Sequence, residues 1–338
     1  MTEHAIEERA RAHLPTDVPI YASLSVKRYA VQSPPPSTWV HACHHLVGLV
    51  SQETDDWFLQ NWPFPNDKAR HKFVAAGYSQ LTCLYYPLAR DDRIHFACRL
   101  LAILFLLDDL LEDMSFDEGE KYNATLILIA RGDVLPNRAV PAEYMFYDLW
   151  ESMRTHDKDL ANEVLEPTFV FMRAQTDRSR KEISELGQYL EYRERDVGKA
   201  LLSALMRFVM GLHLTVDDIE EVKLVERNCA KHISVVNDIF SWEKELRQSE
   251  KSSQDGSVLC SAVKVLADST SLGAEASKTC LWTMVREWEV KHEVLCAELC
   301  MDAGMASELK VLYLKGLEYQ MSGNEYWSRT TPRYWIVD

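Results

Sequence analysis

The sequence contains few of the residues that interrupt regular structure. Among its 338 residues there are only 12 glycines and 12 prolines, whereas 47% of the residues are apolar. This composition excludes collagen-like, low-complexity and largely disordered proteins. The chain is long enough for a large hydrophobic core, and because no long linker appears we expect a single domain.

An excess of positive charge is absent as well. The 37 lysines and arginines are outnumbered by 52 aspartates and glutamates, which gives a net charge of -15. Since nucleic acids are bound mainly through lysines and arginines that neutralise their phosphates, a nucleic-acid partner is not expected. To bind an anionic small molecule, this acidic protein would need a metal ion or an arginine at the binding site.

Paired cysteines and long apolar runs are also missing. The eight cysteines are scattered and include no CxxC pair, which predicts reduced thiols in a helical core. The longest apolar run, Leu100 to Leu107, is too short to cross a bilayer, and the N-terminus is charged and has no apolar signal segment. We therefore expect a cytoplasmic protein without stable membrane insertion. A homo-oligomer is compatible with this composition.

Helical apolar spacing dominates the sequence, and the alternation typical of strands is hard to find. We predict an all-α fold in which residues 1–36 form an irregular arm and residues 37–338 form one helical domain. A helix is expected to begin directly after the prolines 34–36, capped by Ser37 or Thr38. Breaks between helices are expected near residues 62–66, 131–137 and 214–217.

The first of two acidic clusters directly follows the apolar run. It consists of Asp108, Asp109, Glu112 and Asp113. Carboxylates this close together in an apolar helix repel one another and are costly to bury unless a cation neutralises them. This cluster therefore predicts a cation-binding site.

The second cluster contains Asn237, Ser241 and Glu245. These residues are four positions apart, so their oxygen-bearing side chains lie along one face of a helix. Hard oxygen donors of this kind suit Mg²⁺, which leaves coordination positions for substrate phosphates. Together the two clusters predict a magnesium site divided between two helices.

From Arg70 onwards the sequence resembles the class I terpene cyclases, specifically fungal sesquiterpene cyclases similar to aristolochene synthase. The resemblance rests on both acidic clusters, on Lys244 within the second cluster and on the terminal pair Arg333-Tyr334. It implies a class I terpenoid synthase α-helical bundle with a central active-site cavity. The implied reaction is the Mg²⁺-dependent ionisation of farnesyl diphosphate, with release of diphosphate and cyclisation of the carbocation to a sesquiterpene hydrocarbon or alcohol.

The resemblance also implies the roles of individual residues. The ligands of three Mg²⁺ ions would be Asp108, Asp109, Glu112, Asn237, Ser241 and Glu245, and the diphosphate would be bound by Arg193, Lys244, Arg333 and Tyr334. Arg195 competes with Arg193 for its role. The first motif reads DDLLED rather than DDxxD, which leaves open whether Glu112 or Asp113 binds metal. Ser322 occupies the position expected for an active-site serine.

The implied chemistry requires an apolar, aromatic cavity, because a carbocation must be kept away from water. The aromatic candidates are Phe105, Phe171, Trp327 and Tyr78, for each of which core packing is the alternative. Each ring over a cation would contribute about 0.5–2 kcal/mol. In similar cyclases a helix break lets a backbone carbonyl face the cavity, and here Val197, next to Gly198, is the candidate. The implied product is a bicyclic, eremophilane-like skeleton formed through a germacrene-type intermediate.

Two alternative functions use the same observations. A chain-elongating isoprenyl diphosphate synthase would need a second aspartate-rich motif, for which the sequence beginning at Asp217-Asp218 is the nearest imitation. These residues follow Thr215, and we interpret them as the acidic first turn of a helix. The second alternative is a non-catalytic helical scaffold. Incubation with farnesyl diphosphate and Mg²⁺ separates the three functions.

Overall fold

The computed structural model describes residues 36–251, 258–302 and 308–334. The predicted arm, 1–36, therefore lies outside the described residues except for its last position. In the described ranges the chain forms thirteen α-helices and two short 3-10 helices, at Arg178–Lys181 and Pro332–Tyr334, and no strand. The all-α prediction is confirmed. The helices are α1 (Val47–Asn61), α2 (Asp67–Ala76), α3 (Tyr78–Tyr85), α4 (Ile94–Leu111), α5 (Phe116–Arg131), α6 (Pro141–His156), α7 (Lys158–Gln175), α8 (Leu186–Asp196), α9 (Lys199–Met210), α10 (Val216–Lys251), α11 (Ala262–Thr270), α12 (Ala274–Asp302) and α13 (Glu308–Thr330).

The helix boundaries follow local capping chemistry. Asn66 begins α2 by accepting a hydrogen bond from the backbone N–H of Ala69, and Ser115 begins α5 in a capping box with Glu118. Gly132 ends α5 in the left-handed conformation, with φ of 81°. The three predicted breaks all separate helices in the structure.

The helix predicted directly after the prolines is not formed. Residues 37–46 are not helical, and α1 begins at Val47. Tertiary contacts fix this stretch instead. Trp39 Nε1 donates to Glu293 Oε1 at 2.8 Å, and His44 Nε2 lies 2.9 Å from the carbonyl oxygen of Ala89.

Two helices bring the acidic clusters into the interior. In α4, twelve of the eighteen residues are buried, which is expected for a helix that is apolar all round. The long helix α10 packs against α12 and α13, while α3 packs against both α4 and α13. Full burial of a large apolar side chain contributes about 1.5–3 kcal/mol, so the core fixes the directions of both cluster-bearing helices. In the described ranges no helix combines the length and apolarity needed to cross a membrane.

Candidate active site

The two acidic clusters line one cavity. From α4 the cavity is lined by Phe105, Asp108 and Glu112, which are three or four residues apart and therefore share one helix face. From α10 it is lined by Asn237, Ser241, Lys244 and Glu245. The structure thus brings together the two halves of the predicted metal site.

Three carboxylates are crowded together at the end of α4. Asp108, Asp109 and Glu112 each offer a carboxylate oxygen, and these oxygens lie within 4.8 Å of one another. Burial, together with the negative charges of Glu112 and Asp109, raises the pKa of Asp108 from 3.8 to about 7. Asp113 is exposed beyond the end of the helix and does not line the cavity. Of the two residues that the sequence left open, only Glu112 lies at the site.

The second cluster offers an oxygen atom that has no partner. Ser241 Oγ is buried and makes no hydrogen bond to any described residue. Asn237 accepts a hydrogen bond from Arg193 at 2.7 Å and donates one to the hydroxyl of Tyr334 at 2.6 Å. Carboxylate, amide and hydroxyl oxygens are the donors that a hard divalent cation prefers. Such an ion would satisfy the Ser241 hydroxyl and relieve the repulsion at the end of α4, so the residues present fit a metal.

Two predicted diphosphate ligands are paired with acidic residues of the first cluster. Arg333 donates to both oxygens of Asp109, at 3.0 and 3.4 Å. Lys244 Nζ lies 3.2 Å from Glu112 Oε1 and 3.9 Å from Asp109 Oδ1. Burial would raise the pKa of Asp109, but Arg333 and Lys244 outweigh burial and hold it below its usual value. The cations and the candidate metal ligands therefore neutralise one another in this structure.

Arg193 lies inside the cavity, and its competitor does not. Arg193 forms ion pairs with Asp196 and, at 3.2 Å, with Asp238 Oδ1. Arg195 is half exposed and pairs with Asp177 at 3.4 Å. The geometry therefore favours Arg193 as the arginine that faces a bound anion.

Three of the four predicted aromatic residues line the cavity. Phe105, Phe171 and Trp327 belong to its wall, whereas Tyr78 does not. The Tyr78 ring stacks on Phe105 with 4.5 Å between ring centroids, and its hydroxyl accepts a hydrogen bond from Arg333. Tyr78, which was expected to face the cavity, is therefore not among the lining residues, because its ring is buried against the lining residue Phe105.

The helix break predicted near Gly198 separates α8 from α9. Gly198 has φ of 71°, in the left-handed region, and a Cβ atom there would lie 3.0 Å from Phe171 Cδ2. Both the conformation and the close approach therefore require glycine. Val197, directly before it, lines the cavity, and its N–H donates to the carbonyl oxygen of Arg193 at 2.7 Å.

The serine expected in the active site is hydrogen-bonded within its own helix. Ser322 Oγ donates to the carbonyl oxygen of Glu318 in its own helix at 3.0 Å, and Ser322 does not line the cavity. Asn324, two residues later, does line it and accepts a hydrogen bond from the hydroxyl of Tyr85 at 2.8 Å. A shift of two positions rotates a helical side chain by about 200°, which explains the difference.

Sequence reasoning missed several polar residues in the cavity wall, and four of these line it beside predicted residues or between helices: Tyr85, Gln175, Arg180 and Asn324. For three of them the signal was helical spacing from a residue that was predicted. Gln175 comes four residues after Phe171, and Asn324 three residues before Trp327; Tyr85 comes seven residues after Tyr78. Arg180 has no such signal, because it belongs to a 3-10 helix between α7 and α8.

The aspartates that imitate a second aspartate-rich motif form a helix cap. Asp218 donates its backbone N–H to Thr215 Oγ1 at 3.1 Å, and its carboxylate accepts from the backbone N–H of Thr215 at 3.1 Å. Asp217 and Asp218 lie in the first turn of α10, about 30 Å along the helix from Asn237. The interpretation of these residues as an acidic first turn is confirmed, and the chain-elongation alternative is not supported.

Comparison with known proteins identifies the family. Residues 99–291, more than half of the chain, match the family described as terpene synthase family 2, C-terminal metal binding. The chain belongs to terpene synthase family 2. The aristolochene synthase of Penicillium roqueforti is 61% identical over 302 residues, which cover 89% of this chain and 88% of that protein. That of Aspergillus terreus is 59% identical over 304 residues, which cover 90% and 95%.

The solved structures agree with this terpene synthase assignment. The crystal structure of the Penicillium roqueforti aristolochene synthase matches with a TM-score of 0.79 and 60% identity, covering 88% of this chain and 100% of that one. A cucumene synthase variant matches with a TM-score of 0.74 at 16% identity, which speaks for the fold alone. The predicted terpenoid synthase fold and terpene cyclase activity are confirmed, and the matched domain is a metal-binding one.

Proposed function

We propose that this terpene synthase converts farnesyl diphosphate to the bicyclic eremophilane aristolochene and diphosphate. The observation that carries the proposal is the joint presence of two acidic clusters and four cations, Arg180, Arg193, Lys244 and Arg333, on one aromatic cavity. The 61% identity to an aristolochene synthase supports the choice of product.

The proposed metal is Mg²⁺, with three ions. They would be held by Asp108, Asp109, Glu112, Asn237, Ser241 and Glu245. When bound, the ions supply positive charge that stabilises diphosphate as a leaving group.

Four side chains would bind the diphosphate itself: Arg193, Lys244, Arg333 and Tyr334. Each carries N–H or O–H donors, and the three cations exchange their present acidic partners for diphosphate oxygens. Negative charge grows on these oxygens as the allylic C–O bond breaks, so donors fixed in place stabilise the transition state more than the bound substrate.

The rest of the cavity wall would guide the carbocation. The rings of Phe105, Phe171 and Trp327 present negative faces to a cation without being able to attack it. Leu101 and Leu104 add apolar surface that excludes water. The backbone N–H of Val197 donates to the carbonyl oxygen of Arg193, so this helix end would couple diphosphate binding to the position of the cation.

The proposal includes one catalytic domain, residues 37–338, and a cytoplasmic location. None of the eight cysteines forms a disulfide in the structure, and three of them are fully buried. Unpaired buried thiols are typical of proteins that work in a reducing compartment, which supports the proposed location.

The deciding experiment is an incubation of the purified enzyme with farnesyl diphosphate and Mg²⁺, followed by gas chromatography and mass spectrometry. We expect aristolochene as the main product and no product when the metal is removed by a chelator. Adding isopentenyl diphosphate should change nothing. A longer isoprenyl diphosphate would mean chain elongation, and an absence of turnover would contradict the proposal.

Replacing Phe105 by leucine should change the products more than the rate. The ring contributes to the cavity wall, stacks on Tyr78 at a centroid distance of 4.5 Å and is tilted towards Trp327 at 6.4 Å. Removing about 0.5–2 kcal/mol of cation stabilisation is enough to alter branching between products several-fold. Phe58→Leu, which changes a fully buried ring that does not line the cavity, is the control. It should lower stability without altering the profile, and an unchanged profile in Phe105→Leu would exclude Phe105 from cation steering.

A further inference from the structure

One cation in the cavity wall differs from the others. Arg180 lies on the 3-10 helix Arg178–Lys181 and lines the same cavity as the acidic clusters. It forms no ion pair with a carboxylate among the described residues, whereas Arg193, Lys244 and Arg333 all do. We propose that Arg180 is a further ligand of the substrate diphosphate, available to the anion without first giving up an acidic partner. This inference rests on the proposed function.

The hydrogen bonds of Arg180 are few and long. Nη1 donates to the carbonyl oxygen of Gln175 at 3.2 Å, and Nη2 donates to that of Val258 at 3.3 Å. Nε is buried and has no partner among the described residues. A guanidinium has five N–H donors in a fixed fork, and only two of them are used here. The group therefore retains donors for an anion.

Arg180 is partly buried, and removing an unpaired cation from water is unfavourable unless a counter-charge compensates for it. Burial alone would lower the pKa of Arg180, but Tyr192 and Asp196 outweigh this and raise it above the usual value. The side chain is thus charged at neutral pH. Diphosphate would supply the counter-charge that the two carbonyl oxygens do not.

Arg180 also contacts the residue that orients the first acidic cluster. Gln175, whose carbonyl oxygen accepts from Arg180, donates its side-chain amide to Asp108 Oδ1 at 2.7 Å. The guanidinium and the candidate metal ligand are therefore connected through one residue. A diphosphate bound both by a metal ion at Asp108 and by the Arg180 guanidinium would therefore lie close to Gln175.

A structural role is the competing explanation. Arg180 joins the segment after α7 to Val258, so its loss would also remove two hydrogen bonds from the protein. A purely structural role predicts a lower melting temperature with unchanged affinity for a small anion. Anion binding predicts a weaker affinity for the small anion, whatever happens to the melting temperature. A lysine at this position should keep part of that affinity, because the charge is retained.

The test is calorimetric titration with inorganic diphosphate in the presence of Mg²⁺. We expect Arg180→Gln to weaken binding about 10-fold and Arg180→Lys to weaken it about 3-fold. Arg178→Gln is the matched control, because this arginine lies on the same 3-10 helix, is exposed and pairs with Asp117. It should bind diphosphate within about 2-fold of the wild type.

Binding by Arg180→Gln within about 2-fold of the wild type would overturn the inference, as would equal losses in the lysine and glutamine variants. If Arg180→Gln does not fold, Arg180→Met fills similar space without burying a polar group and should show the same loss. The titration does not depend on turnover. If the wild type forms aristolochene but the variants bind diphosphate as well as the wild type does, only this inference is wrong. If the variants lose diphosphate binding but the wild type does not turn over farnesyl diphosphate, only the proposed function is wrong.

Discussion

Replacing Arg333 by glutamine is expected to lower kcat/KM for farnesyl diphosphate about 10³-fold. The Arg333 side chain is almost fully buried beside the stacked rings of Tyr78 and Phe105, at 5.4 and 5.5 Å from their centroids, and its fork is aligned on Asp109. Its charge is therefore positioned before substrate arrives, at low entropic cost. Glutamine keeps a donor but loses the charge and the two-pronged geometry.

The loss in the Arg333 variant has to be separated from unfolding. Asp109 would lose its closest cation but would keep Lys244 at 3.9 Å, so a destabilisation of about 1–3 kcal/mol is expected, small enough to leave the protein folded. Circular dichroism checks the fold, and steady-state kinetics measure the loss. Arg329→Gln, four residues earlier and paired with Glu325 away from the cavity, should stay within about 3-fold of wild-type activity. Turnover by the Arg333 variant within about tenfold of the wild type would remove Arg333 from the diphosphate site.

The helices and the faces that carry the two acidic clusters were predictable because both depend on local spacing. The apolar run before Asp108 and the four-residue spacing of Asn237, Ser241 and Glu245 fix burial and face within one helix each. A helix converts such spacing directly into direction. Local spacing does not show that the two faces meet across one cavity. We inferred this from their shared chemistry, and in the structure the packing of the helices brings the faces together.

The predictions that failed concern contacts between distant segments. Tyr78 has suitable spacing to face the cavity, yet its ring stacks on Phe105 from α4. Ser37 is a good cap residue, but Trp39 and His44 are anchored to Glu293 and Ala89, and these contacts outweigh the capping preference. Arg180 stands out only when the other cavity cations, which pair with carboxylates, are compared with it, since it has no such partner in the part of the chain that the structure describes. None of these relations is encoded in spacing along the chain.

Replacing Asp108 by asparagine should abolish turnover and at the same time stabilise the metal-free protein. The pKa of Asp108 is raised from 3.8 to about 7, so the folded state binds this proton more tightly than the unfolded chain does. The wild type therefore loses stability as pH rises from about 4 to about 7, by at most about 4 kcal/mol at 1.36 kcal/mol per pKa unit. Asparagine keeps the size of the side chain and an oxygen that can accept from Gln175, but it does not ionise.

At about pH 8 the asparagine variant should consequently unfold several degrees above the wild type, and the difference should vanish near pH 4. When Mg²⁺ and inorganic diphosphate are added, the wild type should unfold at the higher temperature instead. Only the wild type keeps the full set of metal ligands and gains stability from binding. Scanning calorimetry at both pH values, with and without these ligands, measures the difference in melting temperature between the variant and the wild type under each of the four conditions. Asp113→Asn, which removes an exposed carboxylate outside the cavity, should change neither melting temperature nor activity appreciably. A metal-free Asp108 variant less stable than the wild type at about pH 8 would contradict the burial and mutual repulsion of the Asp108 carboxylate from which the metal site is inferred.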